Sequence, residues 1–511
     1  MKRVFAIILV MIMAMSILAG CNPGTTEPTS GGDDDVIVIR AAFLESEVED
    51  YADLAVWDII EEKFGVRFEV EEMSTEKMSL MFTSGDFVDV LFGAQNIDSK
   101  IQLAANSGDV VELTDELLEQ YAPTWKKFFD ENPEFYNAAK YDGDRLYSLP
   151  YVRTLEADRG IRDVWWINKT WLDELNLKMP ETLDDFINVL RAFRDNAGTG
   201  SIPQNVMPWY FSFNSMIGGQ FDFLGTYGLE VYDSTYMALD DEGNVINYAT
   251  DVRLKSAVQT LASMYAEGLI APEGFTETAL QYTERVNTVQ ETPYIGVFTA
   301  YWAANEDYVP MTLFQSVEGV EPVIRCQPLG VIRNRMVLFS ECDYPEKVLE
   351  VMEWLAQEDT AMFNDFGAEG EGWDYDEASD TYTVHKVENG VTVAPTNAWP
   401  GLLNDRFSGR IEFDDDHAWA KRLEAIELYG DNIMDVDHII PPMYMSTSAT
   451  KKAEDYKLNI FSRYVAPLMK KWIQGQANVT ADWDEYVSQL NALGLQDYIN
   501  IYQEAYDNIS E

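Results

Sequence analysis

Short apolar runs alternate with amphipathic segments over the first third of the chain. Residues 36–39 and 66–70 are patterned as strands, and residues 48–63 place apolar side chains at helical spacing. A second helix is predicted over 75–83 and a further strand over 88–92. Strands and helices that alternate with short, glycine-marked connections predict an α/β domain with a largely parallel sheet.

Two later helices have clear start signals. Thr182 precedes the amphipathic run 183–194, with an aspartate three residues on that can complete a capping box. Asp343 precedes a proline and a glutamate at the start of an apolar-periodic run, which predicts a capped helix over 346–357.

Two polar residues follow predicted strands closely. Ligands of parallel sheets bind at the loops beyond the carboxyl ends of the strands. Glu45 follows the first strand and Gln95 follows the third, so both are candidate ligand contacts. The alternative is that both are solvated loop residues.

The N-terminus is typical of an export signal. Lys2 and Arg3 precede the uncharged apolar run 4–17, which is too short to span a bilayer comfortably. Residues 18–21 (LAGC) resemble the bacterial lipobox, in which the chain is cut before a lipidated cysteine. We therefore expect a signal peptide over 1–20, lipidation of Cys21 and a flexible linker over 21–35. An ordinary secretory signal with an incidental cysteine is the alternative.

Composition excludes several classes of protein. The 511 residues are 47% hydrophobic and 13% aromatic, which is enough for large cores and argues against disorder. At about 100–200 residues per domain, this length predicts two to four folding units. Asp and Glu number 88 against 36 Lys and Arg, a net charge of −52. That balance argues against a nucleic-acid partner and against attraction of the protein body to anionic lipid.

Three cysteines are too few for a disulfide-stapled scaffold. They also exclude a four-thiolate metal cluster. Cys326 and Cys342 flank strand-like residues in a chain predicted to be exported, so a disulfide between them and two free thiols both remain open.

Several segments, in order along the mature chain, resemble the extracellular solute-binding lipoproteins of bacterial carbohydrate ABC importers, in the oligosaccharide-binding branch. Each fragment is weak alone, and the resemblance rests on their shared order behind a lipobox. The matching segments lie within 84–90, 146–150, 167–182, 265–270, 344–355, 367–371 and 482–502.

The resemblance implies a type II periplasmic-binding-protein-like fold, with two α/β lobes joined by a hinge and a sugar held in the cleft between them. By that analogy lobe one takes residues 36–152 and 328–365, and lobe two takes 153–327 and 366–511. Hinge closure on an oligosaccharide would present the closed form to the permease subunits of the importer. The protein would be a monomer without a cofactor, tethered by its lipid to the extracellular face of the cytoplasmic membrane.

One segment departs from the family pattern. Some relatives carry a calcium-binding loop after the helix that corresponds to 183–194. Here residues 194–203 contain Asp195 and Asn196, and calcium needs six or more oxygen ligands. We therefore predict no metal at this loop.

A sugar site needs aromatic platforms for C–H faces and planar hydrogen-bonding groups for hydroxyls. Trp209 and Trp399 lie in proline-marked, irregular stretches, where exposure is expected. Tyr301 and Trp302 follow an apolar strand, where ligands bind. Any of these aromatic residues can instead belong to a core. The candidate platforms are Trp165, Trp209, Tyr301, Trp302, Trp373, Trp399 and Tyr444.

Two arginines are candidate clamps for ligand oxygens. Arg153 and Arg333 are positive groups in an acidic chain and can hold hydroxyls or a carboxylate. Structural ion pairs are the alternative. The strong negative charge of the protein favours a neutral glycan.

No catalytic residues are predicted. The histidines His385, His417 and His438 form no zinc-binding motif, and the nucleophile-elbow, Walker and dinucleotide patterns are absent from the sequence. A glycosidase needs only two carboxylates, so a surface glycoside hydrolase or lyase stays an alternative. A glycan sensor or adhesin that does not transport is another.

Overall fold

A computed structural model gives the fold. Residues 1–35, with the predicted signal peptide, Cys21 and linker, lie outside the described residues. No helix of the described part of the chain has the length and apolar character needed to cross a bilayer. The structure describes residues 36–44, 51–94, 97–153, 160–213, 215–288, 292–303, 305–326, 330–386, 394, 398–403, 410–414, 418–441 and 443–510.

Helices and strands alternate through most of this region. The strands are β1 Ile37–Leu44, β2 Val66–Met73, β3 Val90–Phe92, β4 Leu149–Arg153, β5 Val164–Asn168, β6 Met207–Trp209, β7 Met237–Leu239, β8 Val245–Asn247, β9 Ile295–Ala300, β10 Tyr308–Pro310, β11 Gly330–Leu338, β12 Trp373–Asp376, β13 Thr381–Val384, β14 Gly401–Leu403 and β15 Ile411–Phe413. The helices are α1 Val56–Phe64, α2 Thr75–Ser84, α3 Asp98–Ser107, α4 Asp115–Tyr121, α5 Pro123–Glu131, α6 Pro133–Ala139, α7 Lys169–Glu174, α8 Leu183–Asp195, α9 Phe221–Gly225, α10 Val252–Ala266, α11 Ala279–Asn287, α12 Pro345–Leu355, α13 Glu358–Phe366, α14 Ala418–Tyr429, α15 Thr447–Lys457, α16 Ala466–Ile473, α17 Val479–Ala492 and α18 Leu495–Ser510.

Of the two helix caps predicted from the sequence, one is present in the structure and one is not. At α8, the Thr182 hydroxyl accepts from the Asp185 amide at 3.2 Å while the Asp185 carboxylate accepts from the Thr182 amide at 3.1 Å, so the predicted capping box is confirmed. At α12, Pro345 occupies the first helical turn, but Tyr344 is the N-cap and no side chain caps the helix. The cap predicted at Asp343 is therefore wrong, because the proline itself removes one of the free N–H groups.

The first sheet has six strands in the order β14-β4-β11-β3-β1-β2. β1 is parallel to β2 and β3, and β14 is parallel to β4. β11 is antiparallel to both of its neighbours, β3 and β4. The N-terminal part is thus parallel as predicted, and β11, which returns from far along the chain, makes the sheet mixed.

Hydrophobic layers cover both faces of the first sheet. Phe43 and Phe92 belong to a core that includes residues of α1, α5 and α12. Their neighbours Ala42 and Leu91 belong to a second core with residues of α2 and α3. The alternation follows from the two-residue period of a strand, and a sheet covered on both faces needs apolar residues at every position.

The second sheet has four strands in the order β10-β5-β9-β6. β6 is parallel to β9, and the other two pairings are antiparallel. Every residue of β5 and β9 is buried, which explains why both read as apolar runs rather than alternating ones. Residues of α8, α10, α16 and α17 complete this core.

The chain passes between the two sheets at one end of the first sheet. β4 ends at Arg153, and the next strand, β5, belongs to the second sheet. β11 begins at Gly330, which is paired with Arg153, and β1 and β3 also end on this side. We call this side of the first sheet the crossing edge. The connecting segments to the second sheet leave from it.

Strand β14 joins the first sheet, although the division predicted from the sequence gives residues 366–511 to lobe two. Gly401 pairs with Tyr151 and Leu403 with Arg153. Ala398 and Trp399 pack in the core of the first sheet. This segment therefore adds an edge strand to the first sheet.

A third, smaller sheet, in the order β12-β13-β15, lies between α13 and α14 in the chain. Trp373, Tyr382 and Val384 form its core with Met362 of α13. The sheet follows the last helices packed on the first core and precedes α14, which packs near β10 of the second sheet.

Cys326 and Cys342 are free, buried thiols. Cys342 belongs to the core of the first sheet, and Cys326 packs with Met434 and Ile439 in a separate small cluster. Of the two alternatives left open by the sequence, the structure has the free thiols.

Candidate functional site

The end of the second sheet carries an aromatic group that the strand order explains. β9 ends at Ala300, and Tyr301 and Trp302 follow it directly. Because β6 is parallel to β9 and β5 is antiparallel to it, β6 ends and β5 begins on the same side. Ligands of α/β proteins bind at such strand ends.

Four rings form a continuous line at this end, which we call the aromatic strip. Trp302 lies edge-on to Tyr301, with ring centroids 5.0 Å apart, and Tyr301 lies edge-on to Trp419, 5.6 Å away. Trp419 stacks on Phe413 of the small sheet at 5.5 Å with an interplanar angle of 16°. The strip therefore joins β9, α14 and β15, three elements that are distant in the sequence.

Arg422 fixes the middle of the strip. Its guanidinium lies 3.6 Å from the ring centroid of Tyr301 and 5.4 Å from that of Trp419. The same side chain is buried, and donates to the backbone oxygens of Tyr301, at 3.2 Å, and Ile161. A desolvated cation over aromatic faces is worth about 2 kcal/mol, so this arrangement holds the rings in one orientation.

Trp302 is the exposed end of the strip, with 36% of its surface accessible. An indole held by neighbouring rings offers a rigid apolar face at small entropic cost, and such a face can stack on the C–H side of a sugar ring. The other three rings of the strip are partly buried and support it.

A buried ion cluster lies beside this end of the second sheet. Arg325 donates to both oxygens of Asp222, at 2.6 and 2.9 Å, and to Asp163 at 3.0 Å. It also donates to the backbone oxygen of Met216, and Asp163 accepts from the amide of Gly218 at 3.2 Å. The cluster thus ties the segment 216–222 to the residue that precedes β5.

A polar contact joins the C-terminal region to the first sheet. Asp142 accepts from the Tyr444 hydroxyl at 3.0 Å and from the Thr447 amide, at the start of α15, at 2.9 Å. Burial alone would raise the pKa of Asp142, but these hydrogen bonds outweigh it and lower that pKa. The contact links two parts of the chain 302 residues apart.

Four of the predicted aromatic platforms are packed in the interior. Trp165 and Trp209 stack on each other in the core of the second sheet, at 5.9 Å. Trp373 belongs to the core of the small sheet, and Trp399 lies edge-on to Trp57 in the core of the first. The expectation that Trp209 and Trp399 are exposed is wrong, since Pro208 lies within strand β6, which ends at Trp209, and Pro400 directly precedes strand β14.

The polar residues predicted to contact a ligand lie in different parts of the chain, and the structure describes two of the four. Arg333 forms an ion pair with Asp98 at 2.8 Å and donates to the backbone oxygen of Lys140, so the structural alternative is the one observed. Arg153 ends β4. Glu45 and Gln95 lie outside the described residues, and their roles stay predictions.

Sequence reasoning missed Trp419 and Arg422. They lie three residues apart on α14, so both are on one face of that helix. That spacing is a signal that can be read in the sequence. Among the described residues, no group of three or more His, Cys, Asp or Glu side chains is placed to hold a metal ion.

A model of the family described as bacterial extracellular solute-binding protein matches residues 62–362. The chain belongs to this family. Its members bind a solute outside the cell.

Individual relatives extend the likeness to nearly the whole chain. The fructooligosaccharide ABC transporter substrate-binding protein FusA of Streptococcus pneumoniae is 27% identical over 461 residues, which cover 84% of this chain and 82% of FusA. The polygalacturonan/rhamnogalacturonan-binding protein YtcQ of Bacillus subtilis is 24% identical over 230 residues, which cover 44% of each chain.

Solved structures show the same fold. FusA in complex with kestose has a TM-score of 0.79 at 23% identity, and the match covers 93% of this chain and 99% of FusA. A solute-binding protein of Bifidobacterium longum infantis that binds human milk oligosaccharides has a TM-score of 0.73 at 22% identity, with 93% and 99% covered. The predicted α/β, two-lobe fold of type II is therefore confirmed.

Proposed function

We propose that the protein is the lipid-anchored receptor of an ABC importer and captures an oligosaccharide in the cleft between its two lobes. The observation that carries this proposal is Trp302, an exposed indole held rigid by the aromatic strip at the strand ends of the second sheet. The relative with 27% identity binds fructooligosaccharides, which supports a glycan ligand. The predicted lobe boundaries, at 36–152 with 328–365 and at 153–327 with 366–511, are part of the proposal, except that the segment with β14 goes with lobe one.

The mechanism needs binding and closure without bond cleavage. The aromatic strip lies at the strand ends of the second sheet, and the crossing edge is the corresponding end of the first. A sugar that touches both lobes stabilises the closed state by its difference in affinity for the two states. Permease subunits that recognise the closed form would then accept the sugar, and the protein itself makes no chemical change.

A neutral glycan fits the electrostatics best. The net charge of −52 repels a chain of uronic acids at long range. The relative named above binds fructooligosaccharides, which are uncharged. We therefore place kestose and nystose first in the set of ligands to be tested.

Calorimetry of the mature protein with a panel of oligosaccharides tests the ligand class. The panel holds kestose and nystose, a human milk oligosaccharide, an oligomannose glycan and an oligogalacturonide. We expect at least one to bind more tightly than millimolar, about −4 kcal/mol, with a negative heat-capacity change. Binding of none would refute the proposed ligand class, and release of reducing ends during incubation would refute the absence of catalysis.

The anchor is tested separately. Cells that express the wild-type chain and the Cys21→Ala variant are labelled with a fatty acid analogue and fractionated. We expect label and membrane association for the wild type alone. Equal membrane association of both variants would refute lipid anchoring at Cys21.

A further inference from the structure

Arg335 is buried without a carboxylate partner. It is 4% exposed, and its Nη1 donates to the backbone oxygen of Gly93 at 3.1 Å. Its Nε has no hydrogen-bond partner, and no carboxylate lies within ion-pair distance, among the residues that the structure describes. Burial lowers the pKa of this guanidinium. An enclosed cation without a counter-charge is destabilising.

Several other arginines have carboxylate partners, and the buried Arg422 lies over the rings of Tyr301 and Trp419. Arg325 contacts two buried aspartates, Arg333 contacts Asp98, and Arg67 forms a bidentate pair with Glu61. Acidic side chains outnumber basic ones by more than two to one, so the chain has many carboxylates that could pair with an arginine. The lack of one therefore points to a role that a carboxylate would block.

A strained piece of backbone sets the position of Arg335. The register of β11 against β4 shifts between Ile332 and Met336, and Asn334 has a φ of 62°. Non-glycine residues adopt this left-handed conformation at some cost, and β-bulges beside functional sites redirect side chains. The strain is held in place by three hydrogen bonds of Asn334.

Those three bonds come from separate elements. The Asn334 side chain donates to Asp98 at 2.6 Å and accepts from the Tyr141 hydroxyl, and its amide donates to the Ser148 hydroxyl at 3.2 Å. Asp98 also holds the side chain of Arg333. The network fixes the bulge, and so the start of the Arg335 side chain, without contacting Arg335 itself.

Arg335 lies at the crossing edge. Its backbone oxygen accepts from the amide of Gly93, the first residue after β3, at 3.2 Å. The edge is the side of the first sheet from which the chain passes to the second sheet, and ligands of such sheets bind at strand ends. A ligand held between the lobes would thus meet an apolar face on one side and this guanidinium on the other.

We propose that Arg335 is a ligand-binding residue, which donates from the guanidinium nitrogen Nη2 to two adjacent oxygens of the glycan. The inference rests on the proposed function and adds a polar contact from the first lobe. Two adjacent oxygens can be a vicinal diol of a neutral sugar or a carboxylate of an acidic one, and both match the planar fork of an arginine.

Calorimetry of the Arg335→Met variant tests the contact. Methionine has a similar length and no charge, and kestose, nystose and trigalacturonic acid are titrated at low and high salt. We expect about a tenfold or greater loss of affinity for whichever glycan the wild type binds. A loss that is independent of salt identifies hydroxyls as the acceptors, whereas affinity that falls with salt identifies a carboxylate.

The control is Arg67→Met, which removes an exposed arginine of the same sheet. We expect its affinity to stay within about twofold of the wild type. An Arg335→Met variant within that same range would refute the proposed contact. Arg335→Lys keeps the charge and loses the fork, and we expect it to bind as weakly as the methionine variant.

Thermal unfolding of the unliganded proteins gives a second readout. A binding role and a structural role of Arg335 predict opposite changes in melting temperature when the arginine is replaced. If Arg335 serves binding at the expense of stability, Arg335→Met melts at the same temperature as the wild type or higher. A lower melting temperature would mean that the arginine serves folding, and would refute the proposal even if binding were lost. This readout needs no ligand, so it decides about Arg335 even where no glycan binds and the proposed function fails.

Discussion

Replacing Arg325 by methionine tests how much the buried ion cluster stabilises the second lobe. The change leaves Asp163 and Asp222, both fully buried, without their cation. Removing one partner of a buried pair costs about 3–5 kcal/mol, because the remaining charge stays desolvated. For a lobe of about 150–250 residues each kcal/mol lowers Tm by about 2–4 °C, so we expect a loss of roughly 6–20 °C.

Thermal and urea unfolding followed by circular dichroism measures this loss. The matched control is Arg191→Met, which breaks an ion pair with Glu267 in which both side chains are partly exposed. An exposed pair contributes about 0–1 kcal/mol, so the control should melt close to the wild type. A second variant, Arg325→Met with Asp163→Asn and Asp222→Asn, removes the orphaned charges and should recover part of the stability.

The pH dependence gives the sharper check. Burial raises the pKa of Asp222 even beside Arg325. The folded state therefore binds more protons than the unfolded state above the ordinary aspartate pKa of about 4, and stability falls as the pH rises. Without Arg325 this pKa rises further, so the deficit of the methionine variant should be smaller at pH 5 than at pH 8.

Two results would refute this reasoning. A loss below about 1 kcal/mol would mean that water or backbone groups already compensate the two carboxylates. A deficit that does not shrink in acid would mean that lost packing, not uncompensated charge, causes the destabilisation.

Three further predictions concern separate features. Trp302→Ala should weaken glycan binding about tenfold with little change in Tm, because the side chain is 36% exposed. Calorimetry compares it with Tyr375→Ala, a similarly exposed residue of the small sheet. Equal losses of affinity in the two variants would contradict the prediction. Burial raises the pKa of Cys326 to about 12 and of Cys342 to about 11, so with Cys21 replaced neither thiol should react with a disulfide reagent until the chain unfolds; rapid labelling of the folded protein would contradict this. Burial lowers the pKa of His438, but its two carboxylate partners, Glu230 and Asp241, outweigh that effect and raise the pKa. The stability that His438 contributes is therefore complete below pH about 6.5 and is lost as the pH rises through the raised pKa. A series of Tm values against pH in which His438→Gln has the same slope as the wild type would contradict this.

The sequence predicted those structural features that depend on residues close together in the chain. The Thr182 capping box and the apolar strand before Tyr301 were readable, because caps and strand ends depend on neighbouring residues. Trp302 was predicted for the same reason, as the residue after a strand. The burial of Trp209 was not predicted, since it depends on Trp165, which is 44 positions away in the chain.

The sequence by itself determined the class of protein: an acidic, exported α/β chain with the ordered segments of a solute-binding family and an aromatic supply suited to sugars. Which charges are compensated was decided by the tertiary structure alone. Arg333 and Arg335 are two residues apart and look alike in the sequence. A register shift in β11 gives Arg333 to Asp98 and leaves Arg335 without a carboxylate among the described residues. Pairing across 235 positions and a bulge between strands depend on contacts that no local pattern records.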